Sequence, residues 1–81
     1  EIIYHTADGK LLETSIGNIV LKMNGKLYTP PSQLGVLPGI YRQHLLESRR
    51  AEEKILTIED LERAEAIYAC NAVRGLYELK I

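Results

Sequence analysis

The sequence predicts one α+β domain in which a mixed, mainly antiparallel sheet carries two short helices. The chain has 81 residues, which suits a single domain. Two turn signals separate extended apolar runs near the start, and two segments with helical patterns interrupt extended runs in the remainder. The predicted order of elements is β-β-β-β-α-β-α-β-β.

The first four strands are predicted to form two successive hairpins. Residues 1–5 ("EIIYH") and the run "KLLET" flank a turn at Asp8 and Gly9. The run "NIVLKM" and the run "KLYT" flank Asn24 and Gly25. Asn-Gly between extended runs is the strongest short-range hairpin signal. We therefore expect an antiparallel meander.

A structured loop and a helix follow the hairpins. The loop "TPPSQLGVLPG" holds all 3 prolines of the chain and is too stiff for a regular element. A helix is predicted from Gly39 to Ser48, with Ile40 and Leu45 on the buried stripe and Arg42 turned outward. Its start lacks the Ser, Thr, Asp or Asn cap that helices prefer.

The rest of the chain is predicted to contain a short strand ("EKILT"), a second helix and two closing strands. Thr57 is the expected N-cap of this helix, with Asp60 in the capping-box position three residues later. The helix "IEDLERAEA" would turn Ile58, Leu61 and Ala64 inward. The closing strands "AIYAC" and "LYELKI" flank a loop at "NAVRG".

Composition argues against several classes of partner. The formal net charge is −1 and the basic residues are dispersed, so we expect no nucleic-acid binding. No apolar run is long enough to cross a bilayer, so we expect a soluble protein. The single cysteine, Cys70, lies in an apolar run and fits a buried thiol in the reducing cytoplasm. His5 and His44 are isolated, and we expect no metal site.

Both ends of the chain are predicted to be strands, and the chain does not open with methionine. Terminal strands expose unpaired edges unless other segments cover them. We therefore expect residues 1–81 to form a single-domain fragment of a longer protein.

Two segments hold polar groups that suit a site. The N–H groups of a helix beginning at Gly39 would favour an anion such as phosphate, although many helices begin this way for packing reasons. In "ETSIGN", Glu13 is a candidate fixed charge aimed into a site. The same segment also fits a β-bulge or wide turn whose polar side chains satisfy their own backbone.

A third candidate is the turn "CNAVRG". Asn71 and Ala72 would allow a ligand to approach the backbone closely. Arg74 could bind a carboxylate, or it could be an ordinary surface arginine.

The three segments, in this order, resemble the C-terminal part of the class IV, fold-type IV pyridoxal-phosphate enzymes. The resemblance implies pyridoxal 5′-phosphate as the cofactor. It implies that Glu13 bonds to the pyridine nitrogen, and that the backbone N–H groups of Ile40 and Tyr41 hold the phosphate. Asn71 and Ala72 match a second phosphate-binding turn, where aminotransferases commonly carry a Gly-Thr pair.

Within that family, "CNA" followed by "RG" looks more like the aminodeoxychorismate lyases. The resemblance then implies conversion of 4-amino-4-deoxychorismate to 4-aminobenzoate and pyruvate in folate biosynthesis, with Arg74 contacting a substrate carboxylate. The alternatives are a branched-chain or D-amino-acid aminotransferase of the same family, or a non-catalytic domain that retains the fold.

The resemblance also implies partners. The family's Schiff-base lysine and its small N-terminal domain precede the segments found here, so we expect this chain alone to be inactive and to require the remainder of the parent enzyme. Relatives of this kind are usually homodimers, and we expect a cytoplasmic homodimer here.

Overall fold

The computed structural model, which describes residues 1–80, shows a seven-stranded mixed sheet with two α-helices. The strands are β1 (Ile3–His5), β2 (Leu11–Thr14), β3 (Gly17–Met23), β4 (Lys26–Thr29), β5 (Ala51–Glu53), β6 (Ala66–Asn71) and β7 (Gly75–Glu78). The helices are α1 (Ile40–Glu47) and α2 (Ile58–Arg63), and a 3₁₀ turn spans Ser32–Leu34. The predicted α+β class is confirmed.

Strand β3 organises the sheet. It pairs with β2 and then β4 along one edge and with β6 along the other, always antiparallel, and β7 extends the sheet beyond β6. The one parallel pair joins β4 to β5. β3 takes this central place because its residues 18–21 are all buried, as an interior strand requires.

The sheet has a hydrophobic cluster on each face, because neighbouring side chains of a strand point to opposite sides. One cluster consists of Leu11, Ile19, Leu21 and Leu56. The other consists of Val20, Leu45, Ala51 and Cys70, and α1 packs on this side through Leu45. The Cys70 side chain is buried as expected, and burial raises the pKa of its thiol to about 11. It is therefore neutral at physiological pH.

The local signals predicted several elements correctly. Asn24 and Gly25 both have positive φ in the turn between β3 and β4. Thr57 caps α2 in a capping box with Asp60. Neither helix of residues 1–80 is long and apolar enough to cross a membrane.

The predicted strand "EKILT" is wrong: β5 spans Ala51–Glu53 instead. Lys54 makes the last bond to the β4 side, donating its N–H to the Thr29 carbonyl. The chain then leaves that edge, and the Leu56 carbonyl accepts a hydrogen bond from the Leu11 N–H of β2. Ile55 and Leu56 thus belong to the segment that connects β5 to α2, and not to a strand.

The predicted faces of both helices need correction. Ile40 is 78% exposed, whereas Arg42 is buried with 3% of its surface accessible. Arg42 turns inward because its Nη2 donates to the Pro30 carbonyl and to Glu53. On α2, Ile58 is 39% exposed rather than inward, while Leu61 packs against the core as predicted.

Candidate functional site

The segment "ETSIGN" forms the tight turn between β2 and β3. Thr14 Oγ1 donates to the Gly17 carbonyl at 2.8 Å and accepts from the Ile16 N–H at 3.2 Å. Ser15 Oγ accepts from the Ile2 N–H. The hydroxyls of the turn therefore satisfy nearby backbone, as the structural interpretation required, while the Glu13 carboxylate points to another part of the chain.

Glu13 contacts the loop before α1. Its Oε1 accepts a hydrogen bond from the Leu37 N–H at 2.8 Å. Its second carboxylate oxygen makes no hydrogen bond within residues 1–80. The pairing of β2 with β3 places Asn18 directly opposite Glu13. One carboxylate oxygen is thus fixed by the protein and the other is available to a ligand.

Helix α1 begins without a side-chain cap. Gly39 is its N-cap residue with extended backbone, and no side chain accepts from the first turn. Within residues 1–80, the backbone N–H groups of Ile40, Tyr41 and Arg42 have no acceptor. Free N–H groups at the positive end of a helix dipole form an anion-binding site.

The turn between β6 and β7 is organised by Asn71. Its Oδ1 accepts from the N–H groups of Val73 at 3.0 Å and Arg74 at 2.8 Å. Its Nδ2 donates to the Ile16 carbonyl at 2.9 Å, which ties this turn to the one between β2 and β3. The amide of Asn71 is thus occupied by backbone, and Ala72 follows as an exposed residue without a polar side chain.

A cavity of about 530 Å³ lies where these three segments meet. Of the residues that the sequence nominated, it is lined by Glu13, Ile40, Asn71 and Ala72. Such a volume suits a small molecule or cofactor. The carboxylate of Glu13 and the free N–H groups of α1 give it an acceptor and an anion-binding end.

Two nominated residues do not line this cavity. The Tyr41 ring lies 3.5 Å from where a methyl group at Gly75 would stand, so it covers the β6–β7 turn. The Arg74 guanidinium stacks over the Tyr77 ring, 4.0 Å from its centroid. Tyr41 can therefore offer only its backbone N–H, and not its ring, to a ligand at the start of α1. Arg74 lies in the turn beside the cavity.

Neither Leu37 nor Asn18 was named as a site residue from the sequence. Asn18 is buried, lines the cavity, and donates from Nδ2 to the Leu37 carbonyl at 2.7 Å. A polar residue at the head of the apolar run "NIVL" was a signal for Asn18. Leu37 acts through its backbone N–H and carbonyl, which every residue except proline has, so its role leaves no signal in the sequence.

The residues present do not suggest a metal centre. Within residues 1–80, no group of three or more His, Cys, Asp or Glu side chains could hold a metal ion. The cavity instead offers one carboxylate oxygen and several backbone N–H groups. This donor set suits an organic molecule with an anionic group at one end and a protonated nitrogen at the other.

Comparison with known proteins reveals one family. A family model described as "Amino-transferase class IV" matches residues 1–80. An uncharacterized protein of Haemophilus influenzae is 35% identical over 69 residues, which is 85% of this chain and 36% of that protein. The chain thus spans about a third of the length of this relative.

Solved structures agree in fold. A provisionally named amino-acid aminotransferase of Mesorhizobium loti is 37% identical, with a TM-score of 0.91 over 99% of this chain and 39% of its own. A provisionally named 4-amino-4-deoxychorismate lyase of Legionella pneumophila is 29% identical, with a TM-score of 0.81 over 95% of this chain and 31% of its own.

One further structure contains the cofactor. It is an aminotransferase of Brucella abortus bound to PLP, 28% identical, with a TM-score of 0.75. The similarity covers 88% of this chain and 27% of that protein.

Proposed function

Because this chain belongs to the class IV aminotransferase family, we propose that it forms the cofactor-binding part of a larger pyridoxal-phosphate enzyme, a 4-amino-4-deoxychorismate lyase. One observation carries the proposal. A single cavity gathers the Glu13 carboxylate, the free N–H groups at the start of α1 and the Asn71–Ala72 turn. The remainder of the parent enzyme would supply the lysine and the rest of the site.

The start of α1 would hold the cofactor phosphate. The N–H groups of Ile40 and Tyr41 are free to donate, and the helix dipole adds attraction for an anion. The phosphate would supply the cap that Gly39 lacks. Asn71 and Ala72 would border the phosphate from the β6–β7 turn, with Ala72 contributing backbone only.

Glu13 would hold the pyridine nitrogen. Its Oε1 is fixed by the Leu37 N–H, so the second oxygen is presented in a defined direction. A carboxylate there keeps a proton on the ring nitrogen. When bound, the cofactor supplies an electron sink for the substrate carbon, and a protonated ring strengthens that sink.

The lyase is favoured over an aminotransferase by the β6–β7 turn. Ala72 provides no hydroxyl where aminotransferases of the family commonly carry threonine. Arg74, an exposed residue, follows two positions later. We assign it the contact with a substrate carboxylate of aminodeoxychorismate. The expected products are 4-aminobenzoate and pyruvate, as in folate biosynthesis.

The second candidate is an aminotransferase acting on branched-chain or D-amino acids. The 37% identity to the Mesorhizobium loti protein favours it. Both candidates would use the same phosphate and ring contacts, so these contacts do not distinguish them, and substrate assays do.

The test is an assay of the purified full-length parent with aminodeoxychorismate, and separately with amino acids plus 2-oxoglutarate. Formation of 4-aminobenzoate without transamination supports the lyase, and the opposite result establishes the aminotransferase. Absence of both activities, together with no lysine on a strand upstream of Glu13, would leave a non-catalytic domain. Arg74→Gln should raise the KM for aminodeoxychorismate, whereas Arg63→Gln, at an exposed position on α2, should not.

A further inference from the structure

The backbone of Leu37 is hydrogen-bonded at both its N–H and its carbonyl, by two residues that lie opposite each other on neighbouring strands. Glu13 and Asn18 are register partners on β2 and β3. Glu13 Oε1 accepts from the Leu37 N–H at 2.8 Å, and Asn18 Nδ2 donates to the Leu37 carbonyl at 2.7 Å. The loop before α1 is thereby attached to the end of the hairpin through the backbone of a single residue, Leu37.

Asn18 also contacts the start of α1. A side chain at Gly39 would collide with Asn18 Oδ1, so the helix can approach this closely only because residue 39 is glycine. The Gly39 N–H donates to the same Leu37 carbonyl at 2.9 Å. The next residues along the chain, Ile40 and Tyr41, carry the free N–H groups.

Burial makes this arrangement rigid. Asn18 is 3% exposed, and water is therefore a poor replacement for its contacts. A binding site needs its groups within about 0.5 Å of the productive geometry. A residue that contacts both the Leu37 peptide and the start of α1 is placed to set that geometry.

We propose that Asn18 is a positioning residue that fixes the Glu13 carboxylate relative to the free N–H groups of Ile40 and Tyr41, so that one ligand reaches both. The inference rests on the proposed function, because the ligand that spans the two is pyridoxal phosphate. Asn18 acts through Leu37 and Gly39 and needs no contact of its own with the cofactor.

The experiment uses Asn18→Ala in the full-length enzyme and titrates the apoenzyme with pyridoxal phosphate. We expect the Kd to rise about tenfold or more, the effect of losing a buried hydrogen bond that orders a site. The matched control is Thr29→Val. Thr29 is equally buried and its Oγ1 donates to the Ile19 carbonyl at 2.7 Å, but it does not line the cavity. Its Kd should stay within about twofold of the wild type.

A second measurement detects the proposed contact itself, which a general loss of stability would not imitate. Gly39→Ala should weaken cofactor binding in the wild type because the added methyl meets Asn18 Oδ1. In the Asn18→Ala background the methyl has room, so the factor by which Gly39→Ala raises the Kd should be smaller by about threefold or more. In the Thr29→Val background this factor should be unchanged. If Asn18→Ala does not fold, Asn18→Asp keeps the volume, removes the donor, and should raise the Kd likewise.

The outcomes distinguish a failure of the proposed function from a failure of the inference about Asn18. A wild-type apoenzyme that does not bind pyridoxal phosphate refutes the proposed function and this inference with it. A wild type that binds the cofactor, combined with an unchanged Kd in Asn18→Ala or with strictly additive effects of Gly39→Ala and Asn18→Ala, refutes the inference alone.

Discussion

Arg42 carries its charge into the interior of the protein. Its Nη2 donates to the Pro30 carbonyl at 3.0 Å and forms an ion pair with Glu53, while its Nε has no partner within residues 1–80. Glu53 in turn accepts from the Ser32 N–H at 3.0 Å. A buried cation of this kind is costly unless its counter-charge stays in place. The pair therefore joins the first turn of α1 to β5 and to the loop between β4 and α1.

Glu53→Gln should destabilise the protein at neutral pH and not in acid. The hydrogen bond from Arg42, helped by that from Ser32, lowers the pKa of Glu53 below its ordinary value of 4.5. A lowered pKa in the folded state means stabilisation that is present above the unfolded pKa and lost as pH falls through the folded one. We expect a loss of about 1–2 kcal/mol at pH 7, a figure reduced for the partial exposure of Glu53.

Urea unfolding at pH 7 and at an acidic pH below the folded pKa of Glu53 measures this difference. Glu52→Gln is the control, because Glu52 is exposed on the same strand and its carboxylate makes no hydrogen bond within residues 1–80. An equal loss for Glu53→Gln at both pH values would contradict a role for the ionised pair.

Glu13→Gln in the full-length enzyme should retain the cofactor and slow the reaction. Glutamine still accepts from the Leu37 N–H, so the cavity keeps its shape, but it cannot hold a proton on the ring nitrogen by its charge. We expect kcat to fall about 100-fold, the typical loss for one electrostatic contact at a reacting group. Glu78→Gln, on the exposed side of β7, should leave kcat unchanged. Undiminished turnover in Glu13→Gln would refute the assigned role.

At the scale of single elements, α2 depends on its first residue. It has only 6 residues, too few for a helix that is stable by itself. Thr57 accepts from the Asp60 N–H and Asp60 from the Thr57 N–H, at 3.2 and 2.9 Å. Thr57→Ala should lower the free energy of unfolding by about 1 kcal/mol, and Thr57→Ser, which retains the cap, should recover most of it. Urea denaturation checks this, and equal stability of all three proteins would show that tertiary packing alone holds α2.

The elements that sequence predicts well are those whose causes lie close together in the chain. The capping box and the Asn24–Gly25 turn each involve residues at most three positions apart. β5 could not be located this way, because its parallel pairing of Leu27 with Ala51 joins distant residues. The burial of Arg42 could not be predicted for the same reason, since its hydrogen-bond partners lie 12 and 11 positions away.

The candidate site was also predictable only in part. Four of the six nominated residues line one cavity. They were selected because three motifs, in order, resembled a known family, and local patterns alone did not require this choice. The resemblance of the whole set of motifs indicated a site built partly from backbone groups, which no single residue type indicates. The two hydrogen bonds to the Leu37 backbone could not be predicted, since they come from side chains 24 and 19 positions away.

On the scale of the whole molecule, the sheet separates two cores with different neighbours. Leu21 belongs to the cluster with Leu11, Ile19 and Leu56, away from α1. Leu45 belongs to α1 itself and packs against Val20 and Cys70 on the other face. The cavity is lined by Cys70 and by the start of α1, so it shares a face with the second cluster only.

Leu21→Ala and Leu45→Ala should therefore have similar effects on stability and different effects on cofactor binding. Both side chains are at least 99% buried, and each truncation should cost about 2–5 kcal/mol of unfolding free energy. Leu45→Ala removes the packing beneath α1 and should let the helix shift, which misplaces its free N–H groups. Its Kd for pyridoxal phosphate in the full-length enzyme should rise several-fold more than that of Leu21→Ala at matched fractions folded. Equal changes in Kd would mean that the cavity responds to overall stability and not to the position of α1.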